Sequence, residues 1–408
     1  MHGMQKPSIT SCGSFGPLSP YIGPYLAEIR NQGYSPQSLR EQTHVLEACG
    51  RWLERTGRSA GDLNESIAHE CLQRVVRRGF GRNTAPATLR RLLAMLRRIG
   101  VTPEPEARSL NRSEQLAHAY ADFLLERNLA PRTIAIRRLV ASRFLSEKFG
   151  SGPLKLCNLR APDVTTFVQR HAHDHGPAHA RTLVAGMRLF LGYLHYEGLI
   201  DSDLSQTVPA VAQWRFSTLP KHLSALQVRQ VLRHCDRSTS LGRRNYAILL
   251  LLARLGLRAC EVVRLNLEDL DWDNSRITVC GKGGQCARLP LPADVARAIA
   301  GYLQHDRPQY ACRRLFIRDY APIGGFDRGA ALACLVKRAL AKAGVESGRK
   351  GAHLLRHSLA THMLRKGASL NEIGEVLRHR SPDTTGIYAK VDLKSLRSLA
   401  LPWPGGAR

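Results

Sequence analysis

"HLLRHSLATHMLRKGASLNEIGEVLRHRSPDTTGIYAKVD" runs from His353 to Asp392. It gathers three histidine-arginine clusters and one late tyrosine between apolar residues at helical spacing. His353 and Arg356 are three apart, so on a helix they share a face. Leu354, Leu355, Leu359 and Met363 hold that helix against a core, and Gly367 ends it. "SLNEIGEVLRH" then reads as a second amphipathic helix that delivers His379 at its end. "SPDTTGIYAKV" starts a third, with Tyr388 one turn in. The histidines at i and i+4 of "HLLRH" lack the glutamate of a helical zinc-hydrolase motif, because Leu354 stands there. His357 and His362 read as core residues.

Two stretches upstream fit with this one. In "GLRACEVVRL" (Gly256–Leu265), Gly256 closes one helix and the next starts at once. Arg258 sits at the junction, where free backbone N–H groups favour an anion; a surface arginine capping the preceding helix is the alternative. "SRITVCGKGGQCARLPL" (Ser275–Leu291) alternates, turns at Gly281–Gly284 and alternates again, as a hairpin does. It carries Lys282 at a glycine-rich tip, where the plainer reading is a solvated turn lysine.

The remainder frames these motifs. The 408 residues are enough for two or three domains, and 43% are hydrophobic, enough for sizeable cores. Sixty lysines and arginines against 33 acids give a net charge of +27, spread along the chain. Such an excess points to a polyanionic partner. The longest apolar run, "AILLLLARLGL" (Ala247–Leu257), is interrupted by Arg254 and reads as a buried helix. No membrane span and no signal peptide are expected. The ten cysteines contain no CxxC pair and read as small buried hydrophobes. The tract "HAHDHGPAH" (His171–His179) reads as a polar helix end or loop.

The N-terminal half looks duplicated. "YLAEIRNQGYSPQSLREQTHVLEACGRWLERTG" (Tyr25–Gly57) parallels "YADFLLERNLAPRTIAIRRLVASRFLSEKFG" (Tyr120–Gly150). "APATLRRLLAMLRRIGV" likewise parallels "GPAHARTLVAGMRLFLGYLHYEGL". Each copy is expected to form about four helices. The expected domains are 17–101, a first helical copy for DNA or protein contact; 113–201, a second helical copy; and 219–400, a helix-rich segment with one β element. The fold class is mainly α: two small helical domains, then a mixed α+β domain with a small antiparallel sheet.

The blocks "GLRACEVVRL", "CGKGGQCARLPL", "HLLRHSLATHMLRKGASLNEIGEVLRH" and "TTGIYAKV", in this order and spacing, resemble the motif blocks of tyrosine recombinases, the phage-integrase family. The resemblance covers the segment from about Leu223 to Ala400. It reaches more loosely into the N-terminal half, as helical DNA-clamping domains. It implies the catalytic set Arg258, Lys282, His353, Arg356, His379 and Tyr388. Arg258 and Arg356 would neutralise the phosphate. Tyr388 would be the nucleophile, His353 the base and Lys282 the acid for the leaving 5′ oxygen. His379 would donate a hydrogen bond to a phosphate oxygen.

The partner implied is double-stranded DNA, cut and rejoined through a 3′-phosphotyrosine by a homo-tetramer on two sites. Neither metal, cofactor nor ATP is expected, and the setting would be cytoplasmic. The family pattern has a glycine where Arg378 stands, and Arg-Asp where this chain has Arg244–Asn245. Rival readings are a type IB topoisomerase and a non-catalytic DNA-binding accessory protein.

Overall fold

The computed structural model describes residues 15–77, 84–105, 109–150, 152–173, 176–211, 219–281, 284–348 and 351–391. Lys282, residues 212–218 and the C-terminal residues from Asp392 lie outside these. Two compact units emerge, one of Met1–Glu104 with Thr218–Arg408, the other of Pro105–Ser217.

In the first unit, residues 15–104 form α1 (Ser19–Asn31), α2 (Pro36–Arg55), α3 (Glu65–Arg77) and α4 (Thr84–Arg98). They close on a core that includes Leu46, Leu53, Leu92 and Leu96. The second unit repeats the order with α5 (Arg112–Glu126), α6 (Pro131–Phe149), α7 (Ala161–His173) and α8 (Pro177–Tyr196). Its own core is rich in aromatics, with Tyr120, Phe144 and Phe190 buried.

Local chemistry makes the two four-helix sets alike. Each joins its first two helices through a residue in the left-handed region, Gly33 at φ 82° and Asn128 at φ 57°. Glycine and asparagine are the residues that tolerate it. Three residues later a proline fixes the first turn of the next helix, Pro36 in α2 and Pro131 in α6. Tyr25 and Tyr120, each eight residues before the turn residue, are both fully buried. They differ in partners: the Tyr25 hydroxyl donates to Gln42 Oε1 at 2.8 Å, which Arg91 also reaches at 2.9 Å.

The rest of the first unit carries the remaining elements. These are α9 (Ala225–Arg233), α10 (Ser240–Arg254), α11 (Ala259–Arg264), β1 (Leu270–Asp271), β2 (Arg276–Cys280) and β3 (Cys286–Pro290). They continue with α12 (Ala293–His305), α13 (Ala330–Lys342), α14 (Ala352–Arg365), α15 (Leu370–Leu377) and α16 (Pro382–Thr385). The apolar run expected to be a buried helix is α10; Ala247–Leu252 are at most 1% exposed. Arg244 on α10 is buried too, donating to Ile317 O, Asp319 and Asn245. The asparagine where the family pattern has aspartate thus still accepts from its neighbour. The fold is mainly α with one small antiparallel sheet, as the sequence implied.

That sheet has the order β1-β2-β3. The sequence pattern located the β2–β3 hairpin but not β1, whose two residues pair with Ile277 and Arg276 and are too short to show alternation. In the β2–β3 register Cys280 faces Cys286, and the two form a disulfide. This corrects the reading of all the cysteines as small buried hydrophobes: cross-strand neighbours have Cβ atoms close enough to bridge. The bridge joins the two strands next to Gly281 and Gln285.

Among the described residues no helix is long and apolar enough to cross a membrane. None of their His, Cys, Asp and Glu side chains group in threes to hold a metal ion. Within the "HAHDHGPAH" tract, His171 is buried at the end of α7 and pairs with Glu147 at 2.8 Å.

Candidate active site

The site is built where α10, α11, α14 and α15 converge. Gly256 terminates the turn after α10 at φ +58°. A Cβ there would lie 2.7 Å from Leu377 Cδ2 and 3.0 Å from Leu359 Cδ2, so a side chain would have to push these leucine ends aside and adopt a strained backbone. Two residues on, Arg258 precedes α11 with extended backbone, and Glu261 reaches back to its N–H at 2.8 Å. The same carboxylate accepts from the Arg258 guanidinium at 2.7 Å and from Arg378 at 3.1 Å. Glu261 is 2% exposed. Burial pushes its carboxyl up, but the Arg258 N–H and guanidinium, with Arg378, outweigh that and hold it below the usual range. It is therefore ionised at neutral pH and fixes the Arg258 side chain.

Arg356 enters from the first turns of α14. It is 3% exposed and donates to Gly256 O at 2.5 Å and to Leu377 O. One guanidinium thus ties the α10–α11 junction to the end of α15. Burial, with Arg258 and Arg378 nearby, lowers its pKa to about 10, so it stays charged at neutral pH.

Tyr388 belongs to a small core with Ala360, Ile373 and Leu377. The expected helix around it is only partly α. Ser381 caps α16, Pro382 occupies its first turn, and Gly386–Val391 continue as tighter 3₁₀ turns. Glycine at position 386 weakens the α-helix there, and the narrower turn carries the phenol inward, to 1% exposure. Desolvation raises its pKa to about 12 against the pull of Arg356 and Arg258. At rest the nucleophile candidate is a protonated phenol.

Its hydroxyl lies 2.8 Å from His357 Nδ1. His353, the residue expected to be the base, is exposed one turn earlier, with its ring centroid 6.3 Å from that of His357. Sequence reasoning left His357 aside as a core residue. The available signal was its i+4 spacing from His353, which a core histidine would share.

His379 follows α15 and contacts Thr385 Oγ1 through Nδ1 at 2.7 Å. Burial, then Arg356 and Arg258, lower its pKa to about 4. A neutral ring that accepts the Thr385 hydroxyl at Nδ1 presents Nε2–H as a donor. A depressed histidine pKa also affects stability. Between pH 6.5 and about 4 the unfolded chain binds a proton that the folded one refuses, so stability falls as pH drops through that window. Wild-type Tm should therefore decline more steeply from pH 6.5 to 4 than that of His379→Gln. Parallel profiles would contradict this environment for His379.

Beside these groups opens a cleft of about 630 Å³ lined by Arg258, Gly281, Gln285, Arg378, His379 and Arg380. Arg380 donates to Gln285 at 3.2 Å, joining the His379 loop to the hairpin. The structure thus brings Arg258, Arg356, His379 and Tyr388 into one site with His353 at its exposed side, while Lys282 lies outside the described residues. Glu261 and His357 are the members that sequence reasoning missed. The Arg258–Glu261 spacing of three is an i, i+3 ion-pair signal that could have exposed the first.

An arginine pair with a buried tyrosine beside a basic cleft supplies the kinds of group that phosphoryl transfer to a protein nucleophile needs. The Phage integrase family matches residues 221–394. A protein of Sinorhizobium fredii named as an integrase/recombinase, y4rA, is 45% identical over 397 residues, 96% of each chain. The tyrosine recombinase XerD of Mycobacterium tuberculosis is 32% identical over 305 residues, 70% of this chain and 95% of that protein. Among solved structures, the XerH recombinase in its post-cleavage complex with difH substrate aligns over 98% of this chain and 99% of its own. Its TM-score is 0.57 and its identity 19%, a likeness of fold. The Tn1549 transposon integrase bound to circular intermediate DNA covers 70% of this chain and 99% of its own, with TM-score 0.52 and 17% identity. The chain belongs to the tyrosine recombinase family, the phage integrases, and it is an enzyme of site-specific DNA recombination.

Proposed function

We propose that this recombinase cleaves DNA by attack of the Tyr388 oxygen on the scissile phosphorus. Arg258 and Arg356 bind the non-bridging oxygens, and His379 donates a further hydrogen bond. The O–P bond to tyrosine forms as the P–O5′ bond breaks, and Lys282 gives the departing oxygen its proton. The phenol proton leaves through His357 towards His353. The 3′-phosphotyrosine conserves the bond energy, so a 5′-hydroxyl of the partner duplex reseals the strand without ATP. The observation that carries this reading is the Tyr388 hydroxyl held at His357 in a core that adjoins both arginines. It favours catalysis over a DNA-binding accessory role, which needs no nucleophile.

The two histidines are separable. His357→Ala leaves a buried phenol without its hydrogen-bond partner, which costs about 1–3 kcal/mol of stability, and it should slow adduct formation. His353→Ala, at an exposed position, slows adduct formation with little change in Tm. Thermal melts and single-turnover cleavage of both variants test the assignment. A His357→Ala protein with wild-type melting and cleavage would remove His357 from the path.

The finer reading extends to assembly. Four protomers act on two duplexes in the cytoplasm, in keeping with the assembly the family resemblance implies. The two helical sets, 17–101 and 113–201, hold DNA with the segment 219–400, and the gene travels on a mobile element. Supercoil relaxation without strand exchange would favour the topoisomerase reading instead. The charge of +27 bears on binding. If 6–10 phosphates are neutralised, affinity falls roughly 10³–10⁵-fold between 50 and 200 mM salt. A flat titration by gel shift would detach the basic excess from DNA.

A further inference from the structure

Arg378 breaks a local rule at the edge of the site. It follows α15 with φ 56° and ψ 50°, the left-handed conformation that glycine adopts freely and other residues at a cost. Glycine is also what the family pattern has at this position. A strained arginine in place of an unstrained glycine needs a compensating use.

Its side chain is 15% exposed and points at the Glu261 carboxylate, 3.1 Å away, with a further bond to Val376 O at 3.2 Å. Glu261 is the same group that grips Arg258. Without Arg378, the local charges of Arg258, Arg356 and Glu261 sum to about +1, because the carboxylate cancels one arginine. Arg378 restores the sum to about +2 at the wall of the cleft.

We infer that Arg378 is an electrostatic positioning residue for the scissile phosphate: by neutralising Glu261 it leaves the charge of Arg258 to the DNA. The inference rests on the assignment of Arg258 as a phosphate-binding residue. Arg378 need not touch the reacting atoms.

The test uses single-turnover cleavage by the full-length protein of two substrates. One has an ordinary phosphodiester at the scissile position and the other a methylphosphonate, which carries no charge there. Arg378→Gly should cleave the phosphodiester roughly tenfold or more slowly than wild type. On the methylphosphonate the two proteins should differ by less than about threefold, because the extra positive charge has nothing to neutralise. The glycine variant relieves backbone strain but removes one partner of the buried Glu261 carboxylate, so its Tm is expected to fall, and the comparison of the two substrates rather than the rate alone carries the test. Arg378→Lys, which keeps the charge, should recover much of the phosphodiester rate.

Wild-type cleavage by Arg378→Gly would overturn the inference. So would an equal defect on both substrates. Tyr388→Phe is run alongside: an adduct formed by that variant would overturn the assignment of the site itself, whereas its absence leaves the result for Arg378 standing alone.

Discussion

Tyr388→Phe should bind its DNA site with wild-type affinity and form no covalent complex with it. The substitution removes one oxygen from a side chain that is 1% exposed, so the ring still fills the core around Ala360, Ile373 and Leu377. The His357 Nδ1 contact is lost, which leaves a partly buried ring nitrogen without that partner and costs about 1 kcal/mol. On the proposed reading, binding would come from phosphate contacts elsewhere and would not need the hydroxyl. Adduct formation needs it absolutely. A nicked substrate that lets the cleaved 5′ fragment diffuse away accumulates the adduct with wild type and none with the variant. An adduct from Tyr388→Phe would move the nucleophile elsewhere.

Lys282→Ala carries the second large effect. A general acid matters when the leaving group is poor, and an alkoxide, whose acid has a pKa near that of water, about 15.7, is very poor. A thiolate leaves unaided because a thiol's pKa is about 8.5. Loss of the acid should slow cleavage of ordinary DNA roughly 10²–10⁴-fold. A substrate with bridging 5′ sulfur at the scissile phosphate should restore most of the rate. Arg356→Ala should not be rescued this way, because its work lies on the non-bridging oxygens. It also strips Gly256 O and Leu377 O of their buried donor. If sulfur fails to rescue Lys282→Ala, the hairpin lysine only holds DNA.

The legible part of this protein was the part with local chemistry. Helix spacing, the Gly256 stop and the alternation across Ser275–Leu291 each reflect interactions within a few residues, and each matched the elements found. The turn residues Gly33 and Asn128 with Pro36 and Pro131 made the duplicated helices readable for the same reason. What escaped depends on long-range packing. Nothing within five residues of His357 says that the Tyr388 hydroxyl, 31 positions later, will lie within hydrogen-bond distance of it. Glu261 is ionised in a buried setting only because Arg258 and Arg378, 117 residues away, surround it. The pairing of Cys280 with Cys286 needed the strand register, and the 3₁₀ turns around Tyr388 needed the core they pack into.

The roles of the two arginines, the histidines and the lysine all presuppose one covalent bond. The most direct measurement is therefore to trap the wild-type adduct on a nicked site in the presence of a chelator, digest it, and locate the nucleotide mass by tandem mass spectrometry. A nucleotide linked through its 3′-phosphate is expected on the peptide containing Tyr388, at that residue, in undiminished yield. Attachment to any other side chain, or no adduct until a divalent metal is restored, would contradict it.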